Sequence, residues 1–131
     1  MDIRKDRTLK VGSVSELKIK FVKPDFKNDL HLDSYGLYEH KTETVSIQQD
    51  ITDEQTCSTT LHEILHFLVR QAHLNQEGNC LSKDTDEERV VGQMETGLYG
   101  FFLNNPKEIA YIFHDILKQN PSVKKLIASI K

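Results

Sequence analysis

One stretch between Thr52 and Gly78 contains neither proline nor glycine, and it constrains the fold of this chain more than any other feature of the sequence. Within it, Thr52-Asp53-Glu54-Gln55 matches a capping box, in which Thr52 is the N-cap and Gln55 reaches back to it. Apolar residues then recur at helical spacing, at Leu61, Ile64, Leu65, Leu68 and Val69. The pattern predicts a long, mostly buried helix over residues 53–74.

The same stretch contains His62-Glu63-Ile64-Leu65-His66, which fits the HExxH zinc-binding motif of metallopeptidases. Two histidines four residues apart lie on one face of a helix, about 6 Å apart along its axis, so their imidazoles can bind one small cation. Glu63, between them, can reach a water on that cation without being a ligand. We therefore expect His62 and His66 to bind Zn²⁺ or another divalent transition metal, and Glu63 to be the catalytic general base.

Catalytic zinc usually has three protein ligands, and the residues alone leave the third one open. His73 lies seven residues beyond His66, about 10.5 Å along the helix axis, which is too far for one ion to bridge. His114 stands alone among apolar residues, where a histidine is more often packed than ligating. The acids that open a predicted second helix, Glu87 and Glu88, are better candidates, and helical phase does not separate them.

The part of the chain before the motif helix is expected to be mainly β-structure. Leu17–Val22 alternates between apolar and charged residues, which predicts a strand with one buried face that ends at Pro24. Residues 35–39 and 43–48 flank a turn at residues 40–42 and predict a hairpin. Residues 24–34 are polar and predict a loop. We expect strand 43–48 to be the edge that binds a peptide by strand addition.

Three more helices are expected after the motif helix. They run from Asp84 or Asp86 to Phe102, from Lys107 to Gln119 behind Pro106, and from Ser122 to Ile130 behind Pro121. With 131 residues, the chain is expected to be a single domain, 1–131, mainly β to residue 52 and mainly α from residue 53. The predicted class is α+β, with a small antiparallel-containing sheet of about three strands packed on the HExxH helix and followed by helices.

Charge and cysteine content exclude several classes of protein. The formal net charge is −3 with acidic and basic residues interspersed, so we expect no nucleic-acid partner. The first residues form no apolar signal segment, and no run approaches membrane-spanning length. Cys57 and Cys80 are the only cysteines, which favours free thiols and a cytoplasmic protein with no membrane association. Cys57 is expected in the core. Cys80 follows the motif helix and could be a soft metal ligand, but we expect it to be a small buried or loop residue.

The chain resembles the small HExxH proteins of bacteriophages and other mobile elements that are related to the ImmA/IrrE-type metallopeptidases. The segments that carry the resemblance are Tyr35-Gly36-Leu37 to Val45-Ser46-Ile47, Thr60 to His66, Glu87-Glu88-Arg89-Val90-Val91 through Gly97-Leu98, and Asn105-Pro106. The resemblance implies a minimal zincin-like, gluzincin-like fold, a divalent metal, and hydrolysis of a peptide bond, but it does not identify a substrate. We expect the partner to be a protein or peptide substrate, such as a host or repressor protein.

The resemblance also implies that Glu88 is the third metal ligand. In the family pattern, a glutamate starts a helix and apolar residues follow three, six and ten positions later. Laid on this chain, that spacing favours Glu88, with Val91, Met94 and Leu98 after it.

A second function stays open beside the peptidase. Gly92 stands where the family pattern has asparagine, and Glu95 stands where it has an apolar or small residue. These departures favour the alternative, a non-catalytic zincin-fold module that docks on a host protein. A DNA-associated SprT-type protease is disfavoured, because the chain shows neither that family's further histidine nor a basic surface.

If the chain is catalytic, the candidates for stabilising an oxyanion are Tyr35, Tyr38, His73 and Tyr99, and the sequence does not rank them.

Overall fold

The computed structural model describes residues 3–11, 15–23 and 35–129, apart from the side chains of residues 126 and 127. The described strands are β1 (Arg7–Val11), β2 (Ser15–Val22), β3 (Gly36–Glu39) and β4 (Thr44–Gln48). The described helices are α1 (Asp53–Gln71), α2 (Asp84–Asn104), α3 (Pro106–Ile112), α4 (His114–Gln119) and α5 (Pro121–Ser129). The α+β class is confirmed. The loop predicted for residues 24–34 lies outside the described residues.

The strands form one mixed sheet in the order β1-β2-β4-β3. Strands β1 and β2 are antiparallel, as are β3 and β4, so the predicted hairpin is confirmed. The sheet has four strands rather than about three, because β1 was not predicted. Strand β2 pairs with β4 in parallel, from Lys18 opposite Thr44 to Val22 opposite Gln48. The prediction that strand 43–48 is a sheet edge is therefore wrong: β4 is paired on both sides, and the edge strands among the described residues are β1 and β3.

The core lies between one face of this sheet and α1. Alternation along β2 buries Leu17, Ile19 and Phe21 and leaves the residues between them exposed, as predicted. On the neighbouring strand β4, Val45 lies opposite Ile19 and Ile47 lies opposite Phe21. Phe67 of α1 completes this cluster of buried residues. Helix α1 contacts both β3 and β4, so one flank of the helix runs beside the edge strand.

Helix α1 begins as predicted and ends earlier than predicted. Both halves of the capping box are present, with Thr52 and Gln55 exchanging side-chain to backbone hydrogen bonds. The helix ends at Gln71 rather than at residue 74. His73 has a φ of 58°, its N–H donates to the Arg70 carbonyl, and the Leu74 N–H donates to the carbonyl of Val69. This is a Schellman motif, and histidine occupies the left-handed position that glycine usually fills, so the sequence carried no stop signal.

The chain separates into two compact units. Within the described residues, the first runs from Ile3 to Thr96 and holds the sheet, α1 and most of α2. The second begins at Gly97 and holds the rest of α2 with α3, α4 and α5. The expected single domain stays a prediction.

None of the helices in the described part of the chain is long and apolar enough to cross a membrane.

In the second unit, the predicted helix from Lys107 to Gln119 is two helices. Phe113 separates α3 from α4 with φ −89° and ψ 3°, a conformation outside the regular helix. The two Asn-Pro pairs act as predicted breaks. Asn105 and Asn120 each donate a side-chain N–H to the carbonyl four residues earlier, at Phe101 and Ile116. The proline that follows each asparagine starts the next helix.

Candidate metal centre

Two histidines of α1 lie side by side on one face of the helix. The Nε2 atoms of His62 and His66 are 3.2 Å apart, and their ring centroids are 4.9 Å apart. The four-residue spacing places the two side chains one turn apart, as the motif predicts. His66 is buried and His62 is partly exposed, so the pair faces from the core toward the surface.

Helix α2 supplies a carboxylate to the same point. Glu88 Oε1 lies 2.8 Å from His66 Nε2, and Glu88 Oε2 lies 3.5 Å from His62 Nε2. Among the described residues, His62, His66 and Glu88 form a group that could hold a metal ion, with one ligand atom from each and all three within 4.8 Å of one another. We call these three residues the metal triad.

The donor set of the metal triad fits a small tetrahedral ion. Ligand atoms 2.0–2.1 Å from a tetrahedral zinc are about 3.3 Å from one another. In the metal triad the two Nε2 atoms are 3.2 Å apart, close to that value, and with one carboxylate oxygen taken from Glu88 all three ligand atoms lie within 4.8 Å of one another. Two imidazoles and a carboxylate are also the ligand types of one class of catalytic zinc site, which leaves a fourth position for water or substrate.

Glu87, the neighbour of Glu88, contacts the other side of the His66 ring. Its Oε1 lies 2.7 Å from His66 Nδ1, and only 13% of its side chain is exposed, compared with 62% for Glu88. Adjacent residues project about 100° apart around a helix, so one glutamate reaches Nε2 and the other reaches Nδ1. These contacts bring Glu88, and not Glu87, into the group that could hold a metal ion, and they place Glu87 where it can orient His66.

Glu63 is buried beside the metal triad, with 6% of its surface exposed. Burial raises the pKa of Glu63 to about 7, and the negative charge of Glu88 acts in the same direction. His66 and a hydrogen bond from the backbone of Tyr38 act against this rise. A carboxyl group with a pKa near neutrality can both accept and release a proton at physiological pH, which suits a general acid–base group.

Gly36 allows the edge strand to approach Glu63, and sequence reasoning gave it no role in the site. A Cβ built on Gly36 would lie 2.5 Å from Thr59 Cγ2, 3.2 Å from Glu63 Cγ and 3.3 Å from Glu63 Oε1. Strand β3 therefore passes over α1 at a distance that only glycine permits. The sole signal in the sequence was a glycine inside a predicted strand, which marks a close approach or a bulge.

A cavity of about 550 Å³ lies in front of the metal triad and Glu63. One side is formed by residues Tyr35 to Tyr38, which include the start of the edge strand β3. The other side is formed by α1 and α2, where Ser58 Oγ donates a hydrogen bond to Glu95 Oε1 at 2.5 Å.

The candidate oxyanion donors are now distinguishable. Tyr38 lines the cavity, but its hydroxyl donates to Glu43 Oε2 at 2.5 Å, and burial together with this bond raises the pKa of Tyr38 above its usual range. The Tyr35 hydroxyl also belongs to a cavity residue, and it accepts a hydrogen bond from Gln55 Nε2, which leaves its own proton for donation. His73 is exposed and bonds to Gln76 in the turn after α1.

Four other residues named from the sequence are not among the described residues that line the cavity. His114 begins α4 and Tyr99 is in α2, both in the second unit. Cys57 was expected in the core, but it is exposed, because it lies on the outer flank of α1; Cys80 is exposed as well.

Comparison with protein-family models, with curated proteins and with solved structures finds no match for this chain. The resemblance to ImmA/IrrE-type metallopeptidases therefore stays a prediction.

Proposed function

We propose that this chain is a zinc-dependent metallopeptidase that hydrolyses a peptide bond in a protein substrate. The observation that carries the proposal is the convergence of the metal triad with Glu63 at one wall of an open cavity. Histidine–glutamate pairs such as those of the metal triad also occur in purely structural roles. Their combination with a buried glutamate whose pKa lies near neutrality favours hydrolysis.

In this proposal, zinc when bound would supply Lewis-acid chemistry, which lowers the pKa of water toward about 7 and polarises the substrate carbonyl. Glu63 accepts a proton from the attacking water at its carboxylate and delivers it to the leaving amine nitrogen. The buried position of Glu63 and its hydrogen bond from the backbone of Tyr38 hold the carboxylate at the cavity wall. The Tyr35 hydroxyl is the favoured donor to the developing oxyanion.

Substrate would bind along β3 rather than along β4. Strand β3 is the edge strand beside the metal triad, and its residues line the cavity. An extended peptide can add to such an edge through main-chain hydrogen bonds. The strand-addition mode proposed from the sequence is thus kept, but it moves from residues 43–48 to residues 36–39.

We further propose that the chain has a minimal zincin-like fold, that it comes from a bacteriophage or mobile element, and that it acts in the cytoplasm on a host or repressor protein. These proposals rest on the motif resemblance and on the small α+β unit with its capped HExxH helix. Other divalent transition ions can occupy the same donor set.

The decisive experiment measures bound metal and cleavage in one preparation. Purified protein is stripped with a chelator, reloaded with zinc, and analysed for metal content and for cleavage of a proteome-derived peptide library by mass spectrometry. We expect one zinc per chain, cleavage only in the reloaded protein, and zinc without cleavage in Glu63→Gln. A wild-type protein that binds zinc and cleaves nothing would favour the alternative, a non-catalytic docking module.

A further inference from the structure

Glu95 is a cavity carboxylate without a role in the proposed reaction. Three glutamates line the described part of the cavity, and two of them, Glu63 and Glu88, are assigned to the general base and the metal triad. Glu95 accepts a hydrogen bond from Ser58. The described residues that line the cavity include no lysine or arginine, and the ion pairs within the described chain do not involve Glu95.

Glu95 is displaced from the metal triad along both helices. Ser58 precedes His62 by one turn of α1, about 6 Å along the axis, and Glu95 follows Glu88 by two turns of α2, about 10 Å along its axis. Because Ser58 contacts Glu95 while His66 contacts Glu88, the two helices run antiparallel here. Glu95 and Ser58 therefore mark a second position in the cavity, displaced from the metal triad by about 6 Å along α1 and about 10 Å along α2.

Charge balance at this second position is incomplete. The described residues that line the cavity offer Glu95 a hydroxyl partner in Ser58 and no cationic side chain, so the charge of its carboxylate is not balanced there. Glu95 is partly buried and is already held by Ser58, so a cationic group could pair with it without first ordering a mobile side chain.

We propose that Glu95 forms a subsite for a positively charged side chain, so that the protein selects peptides with lysine or arginine next to the scissile bond. This inference rests on the proposed peptidase function. The long stems of lysine and arginine can span the distance from a peptide backbone at the metal triad to Glu95. A hydrogen bond to a charged group contributes about 1.5–3 kcal/mol, which corresponds to a preference of about 10- to 100-fold.

The first arm of the test is a cleavage comparison with zinc-loaded protein. Acetylated and amidated peptides are prepared that differ at one position, with arginine, lysine, norleucine or glutamate next to the scissile bond. We expect kcat/KM to be at least tenfold higher for arginine and lysine than for norleucine, mainly through KM. The preference should disappear in Glu95→Gln and turn toward glutamate in Glu95→Lys. The matched control, Glu77→Gln, removes the same charge from an exposed loop outside the cavity and should keep the preference.

A free N-terminal amine carries the same charge as a lysine side chain, so each peptide is also tested without its acetyl group. Cleavage that depends on the free amine and not on the varied side chain would overturn the side-chain subsite. Cleavage without any preference, or a preference that survives in Glu95→Gln, would overturn the proposal and leave the peptidase function standing.

The second arm measures binding and does not depend on turnover. Zinc-loaded Glu63→Gln is titrated with the same acetylated peptides carrying a fluorophore, and anisotropy gives each Kd. We expect arginine peptides to bind at least tenfold more tightly than norleucine peptides, and we expect the double variant with Glu95→Gln to bind both alike. That pattern, together with no cleavage by the zinc-loaded wild-type protein in the first arm, would support a cationic subsite and refute the peptidase. Equal affinities in Glu63→Gln would overturn the subsite.

Discussion

Glu87 Oε1 lies 2.7 Å from Nδ1 of His66, on the opposite side of the ring from Glu88. Both side chains of this pair are almost fully buried, at 11% and 13% exposure. A carboxylate at Nδ1 favours a proton on that atom when Nε2 is bound to a metal ion together with His62 and Glu88. The contact therefore places Glu87 where it can orient one member of the metal triad.

Replacing Glu87 should weaken zinc binding although Glu87 is not a ligand. We expect Glu87→Gln to lower zinc affinity by about 10- to 100-fold, because the amide orients the imidazole less firmly and does not raise its basicity. Competition with a chromogenic chelator measures the affinity. Asp86→Asn is the matched control, since Asp86 lies one residue earlier and pairs with Arg89 instead. An affinity unchanged in Glu87→Gln would show that the contact has no part in metal binding.

Zinc should stabilise the folded protein through the metal triad. An ion that binds only the native state at 100 times its Kd adds about 2.7 kcal/mol to the free energy of unfolding. We expect zinc to raise the Tm of wild-type protein and to have little effect on His62→Ala or on Glu88→Ala. Differential scanning fluorimetry with and without a chelator gives the shift. An equal zinc shift in wild type and in both variants would place the bound ion somewhere else.

The sequence predicted the two histidines of the metal triad, because residues four apart in a helix lie on the same face. Once the capping box at Thr52 set the start of α1, His62 and His66 had to share a face, and the buried residues of β2 followed from simple alternation. The choice between Glu87 and Glu88 could not be made in this way. It depends on how α2 returns to α1 after the turn at His73, whose left-handed backbone has no glycine to signal it.

Contacts between residues far apart in the chain account for what sequence reasoning missed. Gly36 has a role because β3 passes close to Thr59 and Glu63. Glu95 is part of the cavity because Ser58 of α1 donates a hydrogen bond to it from the neighbouring helix. Neither contact produces a periodic pattern in the sequence. The edge position of β3 was missed for the same reason: it follows from the parallel pairing of β2 with β4, and parallel partners need not be neighbours in sequence.

A methyl group at Gly36 should damage the site. In Gly36→Ala the new Cβ would lie 2.5 Å from Thr59 Cγ2, so β3 or Glu63 must move. We expect a loss of about 1–3 kcal/mol in the free energy of unfolding, together with reduced peptide cleavage. Urea denaturation measures the first effect. Adding Thr59→Ser removes the Cγ2 methyl and should restore part of the stability.

Gly92 provides a control for the Gly36 experiment, because the same substitution there should raise the free energy of unfolding instead of lowering it. Nothing lies within 4 Å of a Cβ built on Gly92, which is inside α2. Gly92→Ala should therefore raise the free energy of unfolding by roughly 0.5–1 kcal/mol, because alanine loses less backbone entropy in a helix. If Gly36→Ala were as stable as Gly92→Ala, the close approach of β3 to α1 would be refuted.

The raised pKa of Glu63 makes the stability of the metal-free protein depend on pH. Burial raises this pKa from 4.5 to about 7, so the folded state favours the protonated carboxyl. Its contribution is fully present below the unfolded pKa of 4.5 and is lost as pH rises through about 7. Between these values the folded state binds more protons than the unfolded state, and stability attributable to Glu63 must fall with increasing pH.

Glu63→Gln should remove this pH dependence, because glutamine is neutral at every pH. We expect the difference in unfolding free energy, variant minus wild type, to grow by up to about 3 kcal/mol between about pH 4.5 and about pH 8. Urea denaturation of both proteins in a chelator measures it, and other groups that titrate alike in both cancel in the difference. Zinc should make this difference between variant and wild type smaller at high pH, because a nearby cation favours the ionised carboxylate of Glu63 in the wild-type protein. A difference that stays constant with pH would mean that Glu63 keeps an ordinary pKa in the metal-free protein and that its burial does not disfavour the charged carboxylate.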